Sequence, residues 1–243
     1  MYQQSVVHPN KIVFDLGGVL LDWRPQVTVA QLAASISIPS AQTDVLFRCI
    51  FQDYGRHADW VQFDQGLISI EDISQRIADR INRSFPMLSG RQTSTATFSE
   101  IKLWIQTVGR ELQPISGTVD LLHELSAEGI PLFFLSNMPK QFALEISKFR
   151  SIFDHFADGI FSSDVKLVKP DRDLFYLADE RFSRVNCEKN CKQNKRTIFI
   201  DDSLENLKSA ETLGWFCIHF TSPEQLKHEL MSKLQPKSSA FRP

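Results

Sequence analysis

Six polar residues of this sequence come after short apolar runs and have side chains that bind metal ions or phosphate. These candidates are Asp15, Ser136, Asn137, Lys169, Asp201 and Asp202. Carboxylate oxygens are ligands that Mg²⁺ prefers, whereas a hydroxyl or an ammonium group suits the oxygens of a phosphoryl group. The set indicates a magnesium site beside a phosphate site, provided that the fold brings the residues together.

The apolar runs have the composition of buried strands. They span residues 12–14, 131–135, 159–161, 197–200 and 216–218. Continuous apolar runs of this length are typical of strands buried on both faces of a parallel sheet. Helical patterns separate the runs, and this alternation predicts an α/β fold with a doubly wound parallel sheet. Because ligands bind at the carboxyl ends of such strands, we expect the candidates to meet at one edge.

The segment that follows the first strand has a different pattern. Isoleucines spaced three or four apart predict an amphipathic helix over residues 70–81, and residues 98–108 repeat that spacing. Ser69 and Asp72 have the spacing of a capping box at the start of the first helix. No run in this segment indicates a strand.

This helical block contains about ninety residues, far more than the usual connection in an α/β fold. It predicts an inserted helical domain, and a helical extension packed into the core is the alternative. The predicted division is a helical domain of residues 23–112 within an α/β core domain of residues 1–22 and 113–243.

The bulk composition is that of an ordinary globular protein. The 243 residues are 42% hydrophobic and 23% charged, with a formal net charge of −2. This charge gives no electrostatic basis for binding nucleic acid or an anionic membrane. The first ten residues lack the basic and apolar stretches of a secretion signal, so we expect a cytoplasmic protein. The oligomeric state is not predicted.

The four cysteines are too few and too scattered for a disulfide framework. Cys187 and Cys191 form a C-x3-C pair, but further ligands that would complete a zinc site are missing nearby. The pair lies in residues 183–196, a polar segment that we interpret as a surface loop. The last residues, 233–243, are expected to be largely disordered.

Four motifs resemble those of one family. FDLGGVL (residues 14–20), LSN (135–137), KPD (169–171) and FIDDSLEN (199–206) resemble, in this order, the motifs of the haloacid dehalogenase-like (HAD) hydrolases. The resemblance implies a Rossmann-like core with a helical cap where the insertion falls. Residues 60–73 are also similar to the cap of the subgroup that contains bacterial glucose-1-phosphate phosphatases and the phosphatase domain of soluble epoxide hydrolase.

The resemblance implies a Mg²⁺-dependent phosphomonoesterase acting on a small phosphorylated metabolite, with a sugar phosphate favoured. Asp15 would attack phosphorus in line and form an aspartyl-phosphate, which water then hydrolyses. Lys169 and Mg²⁺ would neutralise charge on the phosphoryl oxygens. Asp15, the carbonyl oxygen of Gly17 and Asp202 would hold the ion.

The same resemblance implies supporting roles. Ser136 and the backbone N–H of Asn137 would bind a phosphoryl oxygen, and the turn at Gly18 would bring the backbone close to the phosphate. Asp201 would lie beside the ion or orient a metal-bound water. Asn206 would hold Lys169 or Asp202 in position.

Gly17 departs from the family pattern, because most phosphatases of the family have an aspartate there that protonates the leaving oxygen and then activates water. Positioned acid–base catalysis typically contributes ~10²–10⁴-fold to the rate. Three interpretations remain open. The substrate has a good leaving group, such as an anomeric sugar phosphate or an acyl phosphate; Asp22 or a cap residue such as His57 replaces the acid; or the enzyme is slow or inert.

Two other functions are alternatives. In a metal-free 2-haloacid dehalogenase Asp15 would attack carbon, but Asp201 and Asp202 would repel it strongly without a cation. A non-catalytic member of the family would bind a phosphorylated ligand or a protein, and only Gly17 favours it.

Polar and aromatic residues of the insertion are candidates for substrate contact. These candidates are Trp23, Arg56, His57 and Trp60. Alternatively, the two tryptophans fill the core of the insertion, and Arg56 and His57 face water.

Overall fold

The protein contains a five-stranded parallel sheet, which confirms the α/β prediction. The computed structural model describes residues 11–85, 96–185 and 196–234. The strands are β1 (Lys11–Phe14), β2 (Leu132–Ser136), β3 (Asp158–Phe161), β4 (Thr197–Asp201) and β5 (Phe216–His219). Their spatial order is β3-β2-β1-β4-β5, and all neighbouring pairs are parallel. Every strand predicted from an apolar run is present.

The described part of the segment between β1 and residue 112 is helical, as predicted. Its helices are α1 (Pro25–Ser35), α2 (Thr43–Phe51), α3 (Asp59–Asp64), α4 (Ile70–Ser84) and α5 (Phe98–Glu111). The predicted capping box begins α4: Ser69 Oγ accepts from the Asp72 N–H at 3.0 Å, and the Ser69 N–H donates to Asp72 Oδ2 at 3.1 Å. This reciprocal pair satisfies two backbone N–H groups at the helix start.

Seven further helices accompany the other strands in the described residues. They are α6 (Ser116–Ala127), α7 (Lys140–Ile146), α8 (Arg150–Phe153), α9 (Ser162–Val165), α10 (Arg172–Val185), α11 (Leu204–Glu211) and α12 (Pro223–Leu234). No helix of the described residues is both long and apolar enough to cross a membrane.

Each face of the sheet has its own hydrophobic cluster, because successive residues of a strand point to opposite faces. Val13 of β1 packs in a cluster with Phe175 and Phe182 of α10. Ile12 and Phe14 belong to a second cluster on the other face. Helices therefore cover both faces, as in a doubly wound Rossmann-like sheet.

The helices of the insertion pack in the same cluster as one face of the sheet. Ile73 and Ile77 of α4 and Trp104 of α5 are buried together with Ile12 and Phe14 of β1. Shared apolar burial stabilises the position of these helices against the sheet. The domain boundaries at residues 22 and 113 remain a prediction.

Two predicted segment ends were wrong. Ser183–Val185 were predicted to begin the loop of residues 183–196, but they continue α10. The last turn of this helix is stabilised by Phe182, which is packed in the core. The first two residues of the predicted disordered tail, Lys233 and Leu234, belong to α12. This helix is held in place by its buried residues Leu226 and Leu230. The rest of that loop, with Cys187 and Cys191, and residues 235–243 lie outside the described residues.

Candidate active site

The carboxyl ends of three neighbouring strands bring predicted site residues to one edge of the sheet. Since β1 lies between β2 and β4, Asp15 after β1 lies beside Ser136 of β2 and Asp201 of β4. The Asp15 N–H donates to the Ile200 carbonyl at 2.8 Å, which extends the strand pairing to this residue. We call the following residues the polar edge: Asp15, Ser136, Lys169, Asp201 and Asp202.

Three carboxylates of the polar edge lie close enough to share a cation. One oxygen atom from each of Asp15, Asp201 and Asp202 lies within 4.8 Å of the other two. Asp15 and Asp201 are buried, whereas Asp202 is exposed. Carboxylates this close repel one another unless a cation compensates them, and their hard oxygen atoms suit Mg²⁺.

Lys169 supplies one positive charge to these carboxylates. Its buried Nζ lies 2.8 Å from Asp15 Oδ2 and 2.7 Å from Asp201 Oδ2. Burial lowers the pKa of Lys169, but the two carboxylates outweigh this effect and hold that pKa above its ordinary value. Burial raises the pKa of Asp15 to about 8; Lys169 opposes the rise, and Asp201 and Asp202 add to it. Because one ammonium group faces three carboxylates, the edge has the charge pattern of a cation site.

Asp201 is held by hydrogen bonds to both of its carboxylate oxygens. Its Oδ1 accepts from the Ser203 N–H at 2.8 Å and from Asn206 Nδ2 at 2.9 Å, and its Oδ2 accepts from Lys169. The prediction that Asn206 holds Lys169 or Asp202 was wrong. Asn206 lies in the first turn of α11, and at this helix start its side chain contacts Asp201 instead of Lys169 or Asp202.

The Asn137 side chain positions Lys169, a role that the sequence analysis missed. Its Nδ2 donates to the Lys169 carbonyl at 2.9 Å, and its Oδ1 accepts from the Lys169 N–H at 2.8 Å. This two-way pairing joins the segment after β2 to the segment that carries the lysine. The family resemblance implies a role only for the backbone N–H of Asn137, as a donor to a phosphoryl oxygen.

Ser136 has a buried hydroxyl group without a hydrogen-bond partner among the described residues. An unpaired buried hydroxyl costs about 1–3 kcal/mol. Ser136 lines a cavity together with Asp15 and Lys169. An anionic oxygen in that cavity would give the hydroxyl a partner.

The two glycines after Asp15 meet different requirements. Gly18 has φ +77°, and a Cβ there would lie 2.3 Å from Asp202 Oδ2, so a larger residue would be strained and would displace the Asp202 side chain. The Gly18 N–H donates to the Leu21 carbonyl at 2.8 Å, so the predicted phosphate contact cannot come from that single donor. At Gly17 a Cβ would make an ordinary 3.6 Å contact with Trp23 Cβ. A side chain at position 17 is therefore sterically possible.

The cavity has a volume of about 570 Å³ and extends from the polar edge to residues of the insertion. Trp23 and Trp60 stack along it, with 6.1 Å between ring centroids and 28° between ring planes. Trp60 also meets Phe142, with 6.4 Å between centroids. Trp60 thus both fills the core and contacts the cavity. We call the following residues the apolar wall: Trp23, Trp60, Leu112, Met138 and Phe142.

Three residues proposed from the sequence are absent from the described lining of this cavity. Arg56 and His57 are exposed, and the Arg56 guanidinium lies 4.0 Å from the Asp171 carboxylate. Asp22 pairs with Arg24 near the surface. Of the two alternatives for Arg56 and His57, the structure agrees with the one in which their side chains face water, and it does not support their role as substrate contacts.

Asp64 is a cavity residue that the sequence analysis did not single out. It ends α3, is 8% exposed and lines the cavity with the polar edge. Burial raises the pKa of Asp64 well above its ordinary value; Lys169 opposes this rise and Asp15 adds to it. The available signal was a carboxylate directly after buried Phe63, on a helix whose other residues are largely apolar.

Comparisons with known proteins agree with this geometry. A family model for haloacid dehalogenase-like hydrolases matches residues 11–214. The sesquiterpene phosphatase astK of Aspergillus oryzae is 28% identical over 211 residues, which cover 86% of this chain and 88% of that protein.

Solved structures share the fold at lower identity. The HAD family enzyme bt-2542 of Bacteroides thetaiotaomicron, in complex with magnesium and inorganic phosphate, has a TM-score of 0.61 at 19% identity, covering 97% of this chain and 100% of that one. The L-2-haloacid dehalogenase of Xanthobacter autotrophicus has a TM-score of 0.58 at 16% identity, covering 93% of this chain and 83% of that one. Since the family model spans most of the sequence, the chain belongs to the haloacid dehalogenase-like hydrolases.

Proposed function

We propose that the protein is a Mg²⁺-dependent phosphomonoesterase. The main support is the polar edge, where the Asp15 carboxylate lies beside the Lys169 ammonium group and the Ser136 hydroxyl, which has no partner in the described ranges. A phosphate monoester would present phosphorus to Asp15 and oxygen atoms to Lys169 and Ser136. The three groups match the needs of phosphoryl transfer, which depends on positioning and on neutralising charge.

The carboxylates fit a magnesium ion. Asp15, Asp202 and the carbonyl of Gly17 would hold it, and the bound ion supplies positive charge beside the phosphoryl oxygens. The excess of three neighbouring carboxylates over one lysine supports this assignment. The same excess disfavours a metal-free dehalogenase, because the carboxylates would repel one another and an anionic haloacid.

In the proposed reaction Asp15 attacks phosphorus in line as the alcohol leaves, and water then hydrolyses the aspartyl-phosphate. The Asp15 carboxylate is oriented by the Leu16 N–H, which donates to Oδ1 at 2.7 Å, and by Lys169 at Oδ2. Asp201 and Asn137 in turn hold Lys169 in place. The lysine can therefore compensate phosphoryl charge without first changing position.

We also propose that the alcohol part of the substrate is apolar. Sugar hydroxyls that lie against the apolar wall would lack partners there, whereas a hydrocarbon chain gains about 25 cal/mol for each Å² that it buries. A volume of about 570 Å³ lies within the range of small-molecule sites. The name of the relative astK, a sesquiterpene phosphatase, supports this substrate class over the sugar phosphate favoured from the sequence.

The substrate class is tested by comparing farnesyl monophosphate with glucose 1-phosphate in the presence of Mg²⁺. We expect kcat/KM for farnesyl monophosphate to be at least about tenfold higher, a difference of roughly 1.4 kcal/mol. The opposite order would support a sugar phosphate and contradict the role of the apolar wall.

The reaction class is tested with p-nitrophenyl phosphate, with Mg²⁺ or with a chelator. We expect turnover to require the metal and to be lost in Asp15→Asn, while Asp22→Asn, a matched change outside the cavity, keeps it. Metal-independent release of halide from 2-chloropropionate would instead identify a dehalogenase. Phosphate binding without turnover would identify a non-catalytic protein.

A further inference from the structure

The proposed reaction needs a proton donor beyond the polar edge. An aliphatic alkoxide leaves slowly unless its oxygen is protonated as the bond to phosphorus breaks. Position 17, where most phosphatases of the family have an aspartate, is glycine. Neither Asp22 nor His57 belongs to the described lining of the cavity.

Asp64 is anchored to the sheet side of the cavity although it belongs to the insertion. Its backbone carbonyl accepts a hydrogen bond from Ser162 Oγ, and Ser162 Oγ in turn accepts from the Met138 N–H at 2.8 Å. At Gly66 the chain approaches α9 so closely that a Cβ would lie 3.0 Å from the Ser163 carbonyl oxygen. These contacts fix the end of α3 relative to the strand ends.

The Asp64 carboxyl group meets the cavity from a buried position. The residue is 8% exposed and lines the same cavity as Asp15 and Lys169. In the described part of the chain its side chain has no hydrogen-bond partner, and Ser162 Oγ donates to its backbone carbonyl instead. Burial raises the pKa of Asp64 well above its ordinary value, and this rise favours the protonated form of its carboxyl group. A protonated carboxyl has one O–H to donate.

Three other ionisable groups of the cavity lining, outside the polar edge, are more open to water than Asp64. Asp53 and Glu205 are exposed, and Tyr54 is 43% exposed. Water competes for hydrogen bonds with such groups, whereas a buried carboxyl keeps its donor for the substrate. Among the ionisable groups of the described lining outside the polar edge, Asp64 is therefore the donor best shielded from water.

We propose that Asp64 is the general acid of the reaction, an inference that rests on the proposed phosphatase function. The bond from Asp15 to phosphorus forms, the bond from phosphorus to the alcohol oxygen breaks, and the Asp64 proton passes to that oxygen. Asp64 is then a carboxylate. Water next attacks phosphorus and gives a proton to Asp64, the bond from Asp15 to phosphorus breaks, and phosphate leaves. Both aspartates return to their starting states.

The leaving group distinguishes this role from a structural one. p-Nitrophenol leaves readily without a proton, whereas an aliphatic alcohol such as farnesol does not. In Asp64→Asn we expect kcat for farnesyl monophosphate to fall about 10²-fold or more, and kcat for p-nitrophenyl phosphate to change less than about threefold. The matched control is Asp53→Asn, another carboxylate of the cavity, which should affect both esters equally.

A second variant restores a donor from the other side of the site. Because Gly17 leaves room for a side chain, we expect Gly17→Asp to restore activity in the Asp64→Asn background. The double variant should have a kcat for farnesyl monophosphate at least about tenfold higher than that of Asp64→Asn. Gly17→Asp alone should gain less than about threefold, since the native site already has its acid. This single variant keeps the test informative even if Asp64→Asn does not fold.

Two results would overturn the assignment. One is an equal loss on both esters in Asp64→Asn, and the other is a gain of tenfold or more in Gly17→Asp alone. In either case Mg²⁺-dependent turnover of p-nitrophenyl phosphate by the native protein would leave the phosphatase function intact. Absence of that turnover would overturn both proposals.

Discussion

Two ion clusters of this molecule, each around a buried charged group, have opposite compositions. In the polar edge one ammonium group, that of Lys169, lies between two carboxylates. In the insertion one carboxylate, that of Asp59, lies between Arg76 and Arg80. The first cluster lines the cavity, whereas Asp59 is absent from its described lining.

The surroundings of the two clusters support different proposed roles for them. Arg80 Nε also donates to the Cys49 carbonyl at 2.7 Å, so the second cluster joins α2, α3 and α4. In the first cluster carboxylates are in excess, and the same edge carries the Ser136 hydroxyl, for which the described part of the chain offers no partner. The comparison teaches that buried charge alone does not mark a reactive site. An excess of charge of one sign beside an open cavity is the better indication of a reactive site.

The largest effect is expected from removing the cation of the polar edge. Lys169→Met should lower kcat for p-nitrophenyl phosphate about 10³-fold at saturating Mg²⁺, because phosphoryl charge loses its fixed partner. The matched control is Lys166→Met, which changes an exposed lysine three residues earlier and should keep native turnover. Retention of activity within tenfold in Lys169→Met would mean that both clusters are merely structural.

The second cluster should affect stability rather than chemistry. Asp59→Asn should lower the free energy of unfolding by about 2 kcal/mol, less than a fully buried pair would give, because Arg76 is partly exposed. Denaturant unfolding measures the loss, and kcat of the folded variant should match the native value. A loss of kcat without loss of stability would contradict the distinction between the clusters.

The pH dependence of this stability follows from the Asp59 pKa. Burial works against ionisation of Asp59, but hydrogen bonds from Arg76 and Arg80 hold its pKa below the ordinary value of 3.8. A lowered pKa in the folded state stabilises the protein above pH 3.8, and this contribution is lost as pH falls through the lowered pKa. The difference between the native protein and Asp59→Asn should therefore shrink below about pH 4. A constant difference would show that charge plays no part.

A smaller effect is expected at the apolar wall. Trp23→Ala should raise KM for farnesyl monophosphate about tenfold, because the substrate loses apolar contact, and should leave kcat for p-nitrophenyl phosphate within about twofold. Trp23→Phe should give an intermediate KM. Equal effects of Trp23→Ala on both esters would indicate that the tryptophan only supports the fold.

The sheet and the polar edge could be predicted because they depend on local pattern and chain order. A buried parallel strand requires a continuous apolar run, and the residue after such a strand lies at the carboxyl edge whatever the loops do. Asp15, Ser136 and Asp201 are brought together by this rule alone. The capping box at Ser69 likewise depends on residues three apart.

The side of the cavity formed by the insertion could not be predicted in the same way. Helix α3 has six residues, too few to show a period, and its orientation depends on contacts with α9. For that reason His57 and Asp64, seven residues apart, could not be told apart as water-facing and cavity-facing. The pairing of Asn137 with Lys169 joins residues thirty-two apart and leaves no local signal.

The central claim is that Asp15 carries the phosphoryl group between alcohol and water. It is tested most directly with a phosphate monoester made chiral at phosphorus by oxygen isotopes, hydrolysed by the native protein with Mg²⁺. Two successive in-line displacements predict retention of configuration in the product phosphate. Inversion would mean that water attacks the substrate directly, and the proposed role of Asp15 would be wrong.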